Sequence, residues 1–178
     1  PEGTEISINV SGEKLGVRAG RSKFSLATLP AAEFPVVEDI KAGQSLSVSQ
    51  ETLGRLIEKT HFSMAQQDVR YYLNGMLVET GGKHLRAVAT DGHRLAQVDY
   101  PLPDGASGMP GIIVPRKAVA EVRKLIEDAG DAIQITLSES KIRFAFDHII
   151  LTSKLIDGTF PDYQRVIPEG NDKIVEVN

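Results

Sequence analysis

The sequence has no cysteine and no tryptophan, and only four tyrosines and six phenylalanines among its 178 residues. Without thiols it can build no disulfide framework and no thiolate metal site, which fits a reducing compartment. Long apolar runs are also missing. No stretch approaches the roughly 18 residues of a membrane span, and the start has no basic segment followed by an apolar one. Nothing routes the chain to a membrane, and the cytoplasm is the expected compartment. There is no excess of positive charge either. Twenty lysines and arginines face 24 aspartates and glutamates, a formal net charge of −4, so any contact with nucleic acid must be confined to one locally basic face. The four histidines, at 61, 84, 93 and 148, lack the spacing of a metal site, and neither a glycine-rich phosphate loop nor a nucleophile elbow is present.

What is present is an ordinary folded composition, 41% apolar and 25% charged, carrying an internal repeat. Glu5-Ile6-Ser7-Ile8-Asn9-Val10-Ser11-Gly12-Glu13-Lys14-Leu15 aligns without a gap on Ala132-Ile133-Gln134-Ile135-Thr136-Leu137-Ser138-Glu139-Ser140-Lys141-Ile142, every apolar position in phase. Phe24-Ser25-Leu26 then falls on Leu151-Thr152-Ser153 and, after a slip of one residue, Phe34-Pro35 on Phe160-Pro161. The repeat is about 127 residues long, roughly one domain. Residues 44–170 therefore read as one complete unit and residues 1–43 as the closing third of an earlier copy. Lys173-Ile174-Val175-Glu176-Val177 resembles Ser45-Leu46-Ser47-Val48, so a third copy is expected to open in residues 171–178. Similar hairpins also share such patterns by chance.

Alternation of apolar and polar residues predicts a meander of strands at Glu5–Val10, Lys14–Arg18 and Lys23–Thr28, with turns at Gly12 and Gly20. Residues 36–44 read as a crossing loop and Ser45–Ser49 as a strand. Leu53, Leu56 and Ile57 fall at helical spacing, which predicts a helix over Gln50–His61 with Ser49 as its N-cap. Strands follow at Val69–Glu79, Leu85–Thr90, Arg94–Tyr100 and Ile112–Pro115, with a Pro- and Gly-rich loop over Leu102–Gly111. A second helix is expected from Arg116 to Asp128, stopped by Gly130 and apolar along Val119, Val122, Leu125 and Ile126. The meander then returns at Ala132–Leu137, Lys141–Phe146 and Ile149–Leu155. The unit reads strand, helix and three strands, twice over. That is an α+β fold with two helices packed on curved antiparallel sheet.

Thr90-Asp91-Gly92-His93-Arg94-Leu95 joins two of these strands. Asp-Gly suits a two-residue turn with positive φ at both positions, and a plain hairpin is one reading of it. His93, Leu95, Gln97 and Asp99 share one face of the outgoing strand. Leu95 is then an apolar residue on a mostly polar face. It is either a lone surface leucine or part of a groove of peptide size.

The run Ala89-Thr90-Asp91-Gly92-His93-Arg94-Leu95 resembles the signature hairpin of the bacterial DNA polymerase III beta subunit family, the sliding clamps. Phe62-Ser63-Met64-Ala65, Asp68-Val69-Arg70-Tyr71-Tyr72-Leu73-Asn74-Gly75, Val114-Pro115-Arg116-Lys117 and Phe160-Pro161-Asp162-Tyr163 agree with it in order, so the likeness covers the whole chain. It implies a three-domain subunit whose head-to-tail dimer encircles duplex DNA, with this chain spanning the end of domain one, all of domain two and the start of domain three. It also implies a pocket for short linear peptides of polymerases, the clamp loader and repair proteins. The matching positions are Arg70, Leu73, Thr90, Gly92, His93, Arg94, Leu95, Pro161, Arg165 and Val166. Leu73, Leu95, Pro161 and Val166 suit leucine or phenylalanine anchors, and the arginines suit peptide carbonyls or acidic groups.

For DNA the resemblance points to Gln67, Tyr71, Tyr72, Arg116 and Lys117, with Arg55, Lys59, Arg123 and Lys124 as possible additions to a basic lining. Cations at a helix N-terminus face the positive end of the dipole, and a phosphate nearby would reverse that cost. On residue type alone, Arg116 and Lys117 are equally a solvated pair, and Tyr71 and Tyr72 ordinary strand aromatics. The resemblance implies no cofactor and no catalysis, the ATP being spent by a separate loader. Dimerisation is expected of the full-length protein, and a monomer of this piece. Two other classes stay open: an enzyme using Asp91 and His93 with Ser63, and a repeat-built interaction module with no role on DNA.

Overall fold

The computed structural model describes residues 3–36, 40, 43–127, 132–170, 172–173 and 175–176. They fall into two compact units, Pro1–Glu38 and Asp39–Asn178. The first is a meander of β1 (Ile6–Ser11), β2 (Lys14–Ala19) and β3 (Ser22–Ala27). Its register puts Ile8, Val17 and Phe24 in one cross-strand row and Val10, Leu15 and Leu26 in the next. One face is therefore apolar along both rows, yet Ile8 is 65% exposed and Phe24 57%. A short 3-10 turn at Ala31–Glu33 follows, where Pro30 and Pro35 interrupt the alternation.

The second unit runs β4 (Gln44–Ser49), α1 (Gln50–Glu58), β5 (Gly75–Gly81), β6 (His84–Thr90), β7 (Leu95–Pro101), β8 (Ile112–Pro115), α2 (Arg116–Ile126), β9 (Ala132–Leu137), β10 (Lys141–Phe146) and β11 (Ile149–Lys154). The order strand, helix, three strands occurs twice, as the hydrophobic periods predict. The strands make two antiparallel four-stranded sheets, ordered β11-β10-β9-β4 and β7-β6-β5-β8. Each sheet thus takes its three-stranded meander from one half and its fourth strand from the other. This exchange ties the halves into one core, shared by the inner faces of both sheets and one side of each helix. The registers also carry the repeat: Val10 pairs with Leu15 and Val17 with Phe24, as Leu137 pairs with Ile142 and Phe144 with Leu151, each 127 positions on.

Ser49 caps α1, its hydroxyl accepting the Thr52 N–H at 3.1 Å, and Leu53, Leu56 and Ile57 are buried on one side. Each such side chain contributes about 1.5–3 kcal/mol by leaving water. The helix ends at Glu58 rather than His61. Thr60 is fully buried, its hydroxyl donates to the Leu56 carbonyl at 2.6 Å, and the chain turns into a 3-10 turn at His61–Ser63. On α2, Ala118, Val119, Val122 and Ile126 are buried. The expected continuation to Asp128 and the stop at Gly130 lie outside the described residues.

Two further expectations change. The strand expected from Val69 begins only at Gly75, because residues 71–73 form a 3-10 turn. The side chain of Asn74 holds that turn, accepting the Asp68 N–H at 3.0 Å and donating to the Asp68 carbonyl at 2.9 Å. The link between β6 and β7 is not a two-residue turn. Thr90 pairs with Leu95 across a four-residue loop in which Gly92 alone has positive φ, +87°, and Arg94 lies in the loop rather than the strand. Residues 173, 175 and 176 belong to no strand, while Ile174 and Val177 of the expected third opening strand are not among the described residues.

Candidate functional site

The sheet β7-β6-β5-β8 has a second apolar layer on its outer face, away from the main core. Leu77, Val88, Ile113 and Tyr163 are buried there, with Tyr72, Leu95, Ile156 and Phe160 packed against them. Leu95 is therefore neither lone nor on a polar face. The cover comes from the chain after β11. The Ile156 N–H donates to the Ile113 carbonyl at 2.9 Å, and Phe160 meets Tyr163 edge-on with ring centres 6.5 Å apart. Gly75 permits this approach: a Cβ there would lie 2.7 Å from the Val114 carbonyl oxygen and 3.0 Å from Ile156 Cδ1.

The loop after β6 borders this layer and is held by its own side chains. Asp91 accepts the N–H groups of His93 at 2.9 Å and Arg94 at 3.0 Å, and the Arg94 guanidinium at 3.0 Å. These bonds hold the Asp91 carboxyl down at about 2, the backbone N–H groups of Arg94 and His93 being the leading cause. The Thr90 hydroxyl donates to the Arg94 carbonyl at 2.8 Å and accepts the Gly92 N–H at 3.1 Å. Arg70 reaches in from the preceding turn. It forms two side-chain bonds to Asp68, at 3.0 and 2.8 Å, and donates to the Asp91 carbonyl at 3.2 Å. Its guanidinium lies where a Cβ on Gly92 would stand, 2.9 Å from Nη1. The same arginine draws the Asp68 carboxyl to about 2.

Arg70, Thr90, Gly92 and Arg94 thus form one hydrogen-bonded border, with the His93 side chain exposed beside it. Leu95 lies half-buried within the layer. Leu73 is only 2% exposed, so it supports the border from beneath. Pro161, Arg165 and Val166 lie exposed on the covering segment, Arg165 paired with Asp162 at 2.9 Å. The predicted residues accordingly fall on the turn before β5 (Arg70 and Leu73), the loop after β6 and the covering segment. Sequence reasoning missed what holds the covering segment. The Tyr163 hydroxyl donates to Glu79 at 2.6 Å and accepts from Arg86 at 3.1 Å, and Arg86 is clamped by Asp99 at 2.6 and 2.7 Å. The available signal was Glu79, Arg86 and Asp99 standing at paired positions on three neighbouring strands.

Gln67, Arg116 and Lys117 line one hollow, and Arg116 passes into a second that holds His61, Arg123 and Lys124 together with Glu127. Gln67 sits at φ +55°, a position strained for a side-chain residue. Arg116 is not a free cation at the start of α2, since its guanidinium donates to the Met64 carbonyl at 3.0 Å. Burial, then the charges of Arg123 and Arg116, lower the pKa of His61. Arg55 and Lys124 are engaged with Glu51 and Glu121, and Lys59 is exposed. Tyr71 and Tyr72 meet edge-on at 5.8 Å. Tyr72 packs into the layer with Leu95 rather than into the basic hollows.

As an acid-base pair Asp91 and His93 are poorly placed, because the carboxylate is committed to N–H groups and to Arg94. Ser63 is 1% exposed, out of reach of a substrate. No helix among the described residues is long and apolar enough to cross a membrane.

Two helices on paired four-stranded sheets built from a doubled strand-helix-three-strand unit define a domain of the DNA-clamp class. The family described as DNA polymerase III beta subunit, central domain, matches residues 47–162. The chain is 48% identical to the beta sliding clamp of Caulobacter vibrioides over 184 aligned residues, covering 100% of this chain and 50% of that protein. It is 49% identical to the beta sliding clamp of Escherichia coli over 178 residues, covering 99% and 48%. Among solved structures, the DNA polymerase sliding clamp of Caulobacter crescentus matches with a TM-score of 0.83 at 48% identity, over 97% of this chain and 48% of that one. The sliding clamp of Bartonella birtlesii bound to griselimycin matches with a TM-score of 0.87 at 46% identity, over 97% and 47%. The chain belongs to the bacterial DNA polymerase III beta subunit family, the beta sliding clamps. It spans about half the length of the curated relatives it matches.

Proposed function

We propose that the chain is part of a sliding clamp, a ring that encloses duplex DNA without regard to sequence and tethers polymerases, the clamp loader and repair proteins through short peptides. The observation that carries this reading is the apolar outer layer of β7-β6-β5-β8, bordered by Arg70, Arg94 and Arg165. Leu95 and Val166 offer the apolar contacts, the arginines the polar ones, and Leu73 the support beneath. Griselimycin, bound by the clamp of Bartonella birtlesii, is the probe we assign to this layer. Residues 44–170 form the central domain in this reading, residues 1–43 the close of the first and residues 171–178 the opening of the third. The identical registers of β1-β2-β3 and β9-β10-β11 support it.

DNA lies against Gln67, Arg116 and Lys117, with Tyr71 and Tyr72 at the margin. Loose, water-bridged phosphate contacts suit such a ring, because enclosure rather than grip keeps the DNA and the clamp stays free to slide. Tethering raises the effective concentration of a polymerase at the primer end, so the protein needs neither cofactor nor chemistry of its own. A cytoplasmic location follows from that role. The full-length protein is a homodimer ring in this reading, and this chain by itself is expected to be a monomer when checked by light scattering. The test is topological. Full-length protein loaded on closed circular DNA is expected to stay bound and to leave when the circle is cut; retention unaffected by linearisation contradicts enclosure.

A further inference from the structure

Among the described residues beyond Lys154, Tyr163 is the only buried one. Leu155, Ile156 and Phe160 are half-buried before it, and everything from Gln164 to Gly170 is exposed. Tyr163 is 5% exposed. Arg165 and Val166 follow it by two and three positions, with side chains reaching into solvent: that of Arg165 is 85% exposed, and Val166 is 69% exposed as a residue. Their placement therefore depends on the last inward anchor of the segment. That anchor is a hydrogen-bonded set on the outer sheet face: the Tyr163 hydroxyl to Glu79 at 2.6 Å, Arg86 to the same hydroxyl at 3.1 Å, and Asp99 clamping Arg86 from the far side. Glu79, Arg86 and Asp99 are direct cross-strand partners on β5, β6 and β7, so the anchor point is fixed by three strands. Burial, and then the bond to Glu79, raise the hydroxyl pKa and keep it a donor at neutral pH.

We propose that Tyr163 is a positioning residue for peptide recognition: bonded to Glu79 and Arg86, it sets where Arg165 and Val166 stand relative to the Leu95 loop. This rests on the peptide-groove reading above. The apolar layer buries the ring whether or not the hydroxyl is present, so Tyr163→Phe keeps the packing and removes only the fixed attachment. A segment free to shift on the sheet must be immobilised again by each bound ligand, and that cost falls on affinity.

The test uses the full-length protein with griselimycin as probe. Tyr163→Phe is expected to weaken griselimycin about five- to tenfold, the loss of the hydroxyl's two bonds to charged groups in part passed on to the ligand. Glu79→Gln, which retains an acceptor oxygen for the hydroxyl, is expected to bind like the wild type, and Glu79→Ala to match Tyr163→Phe. Backbone amide signals of Arg165 and Val166 should move in Tyr163→Phe without ligand, while those of His93 and Leu95 stay in place. A general loss of stability would move both sets. Unchanged affinity in Tyr163→Phe, or equal shifts in both sets, overturns the proposal. Leu95→Asp run in parallel separates the two ideas: if it too leaves griselimycin binding unchanged, the groove reading itself fails, whereas loss in Leu95→Asp alone defeats only the role of Tyr163.

Discussion

The two four-stranded sheets of the second unit have the same construction and opposite outer faces. On β11-β10-β9-β4 the outward positions of the inner strands are Gln134 and Thr136 on β9 and Arg143 and Ala145 on β10. Small polar contacts link them to the neighbouring strand, such as Gln134 to Ser47 at 3.1 Å and Thr136 with Ser45 at 3.4 Å. That face needs no cover. On β7-β6-β5-β8 the corresponding strands carry Leu77 and Val88, with Ile113 alongside, and the chain after β11 folds back to bury them. One architecture thus supplies a face of small and polar residues and a covered apolar face. The difference lies in a few outward residues and one returning segment, since both inner faces serve the same core.

Cutting into the covered face should cost most. Ile113→Ala, at a residue 3% exposed, is expected to lower unfolding free energy by about 3 kcal/mol in urea titration. Gly75→Ala is expected to cost about 2 kcal/mol by the same measure, because its Cβ would meet the Val114 carbonyl and Ile156 and force the cover away. A change within the error of the titration for either would mean that the outer layer contributes little to the fold.

The border of the covered face should also respond to acid. The Asp91 carboxyl titrates near 2 when folded, against an ordinary value of 3.8. The stabilisation it gives the loop is therefore complete above pH 4 and is lost as pH falls towards 2. The amide signals of His93 and Arg94 should titrate together with a midpoint near 2; a midpoint close to 4 would show that the observed bonds to Asp91 do not form in solution. Smallest of all should be Thr136→Ala on the open sheet, within about 0.5 kcal/mol of the parent. A loss comparable to that of Ile113→Ala would erase the distinction between the faces.

Much of this architecture can be read from residue patterns, because both periods are strong. The meander registers, the two helices and the doubled unit follow from apolar spacing and from a capping serine. The covered face does not. Gln97 and Asp99 share the face of Leu95 along its own strand, so that strand reads as solvent-facing, and the segment that covers it stands more than 60 positions away in sequence. Val69 to Leu73 look like strand residues for a related reason: their turn is fixed by Asn74 bonding to Asp68, a pairing of side chain with backbone that periodicity does not register. The border residues were recognisable through family likeness, whereas the anchor at Tyr163 appears only when three strands stand side by side.

The most direct measurement is a map of backbone amide shifts in the full-length protein as griselimycin is added. The account predicts shifts concentrated at residues 90–95 and 160–166, with the outward residues of β9 and β10 unmoved. Shifts centred on Gln134, Thr136 and Arg143, or none at His93 to Leu95, would contradict it.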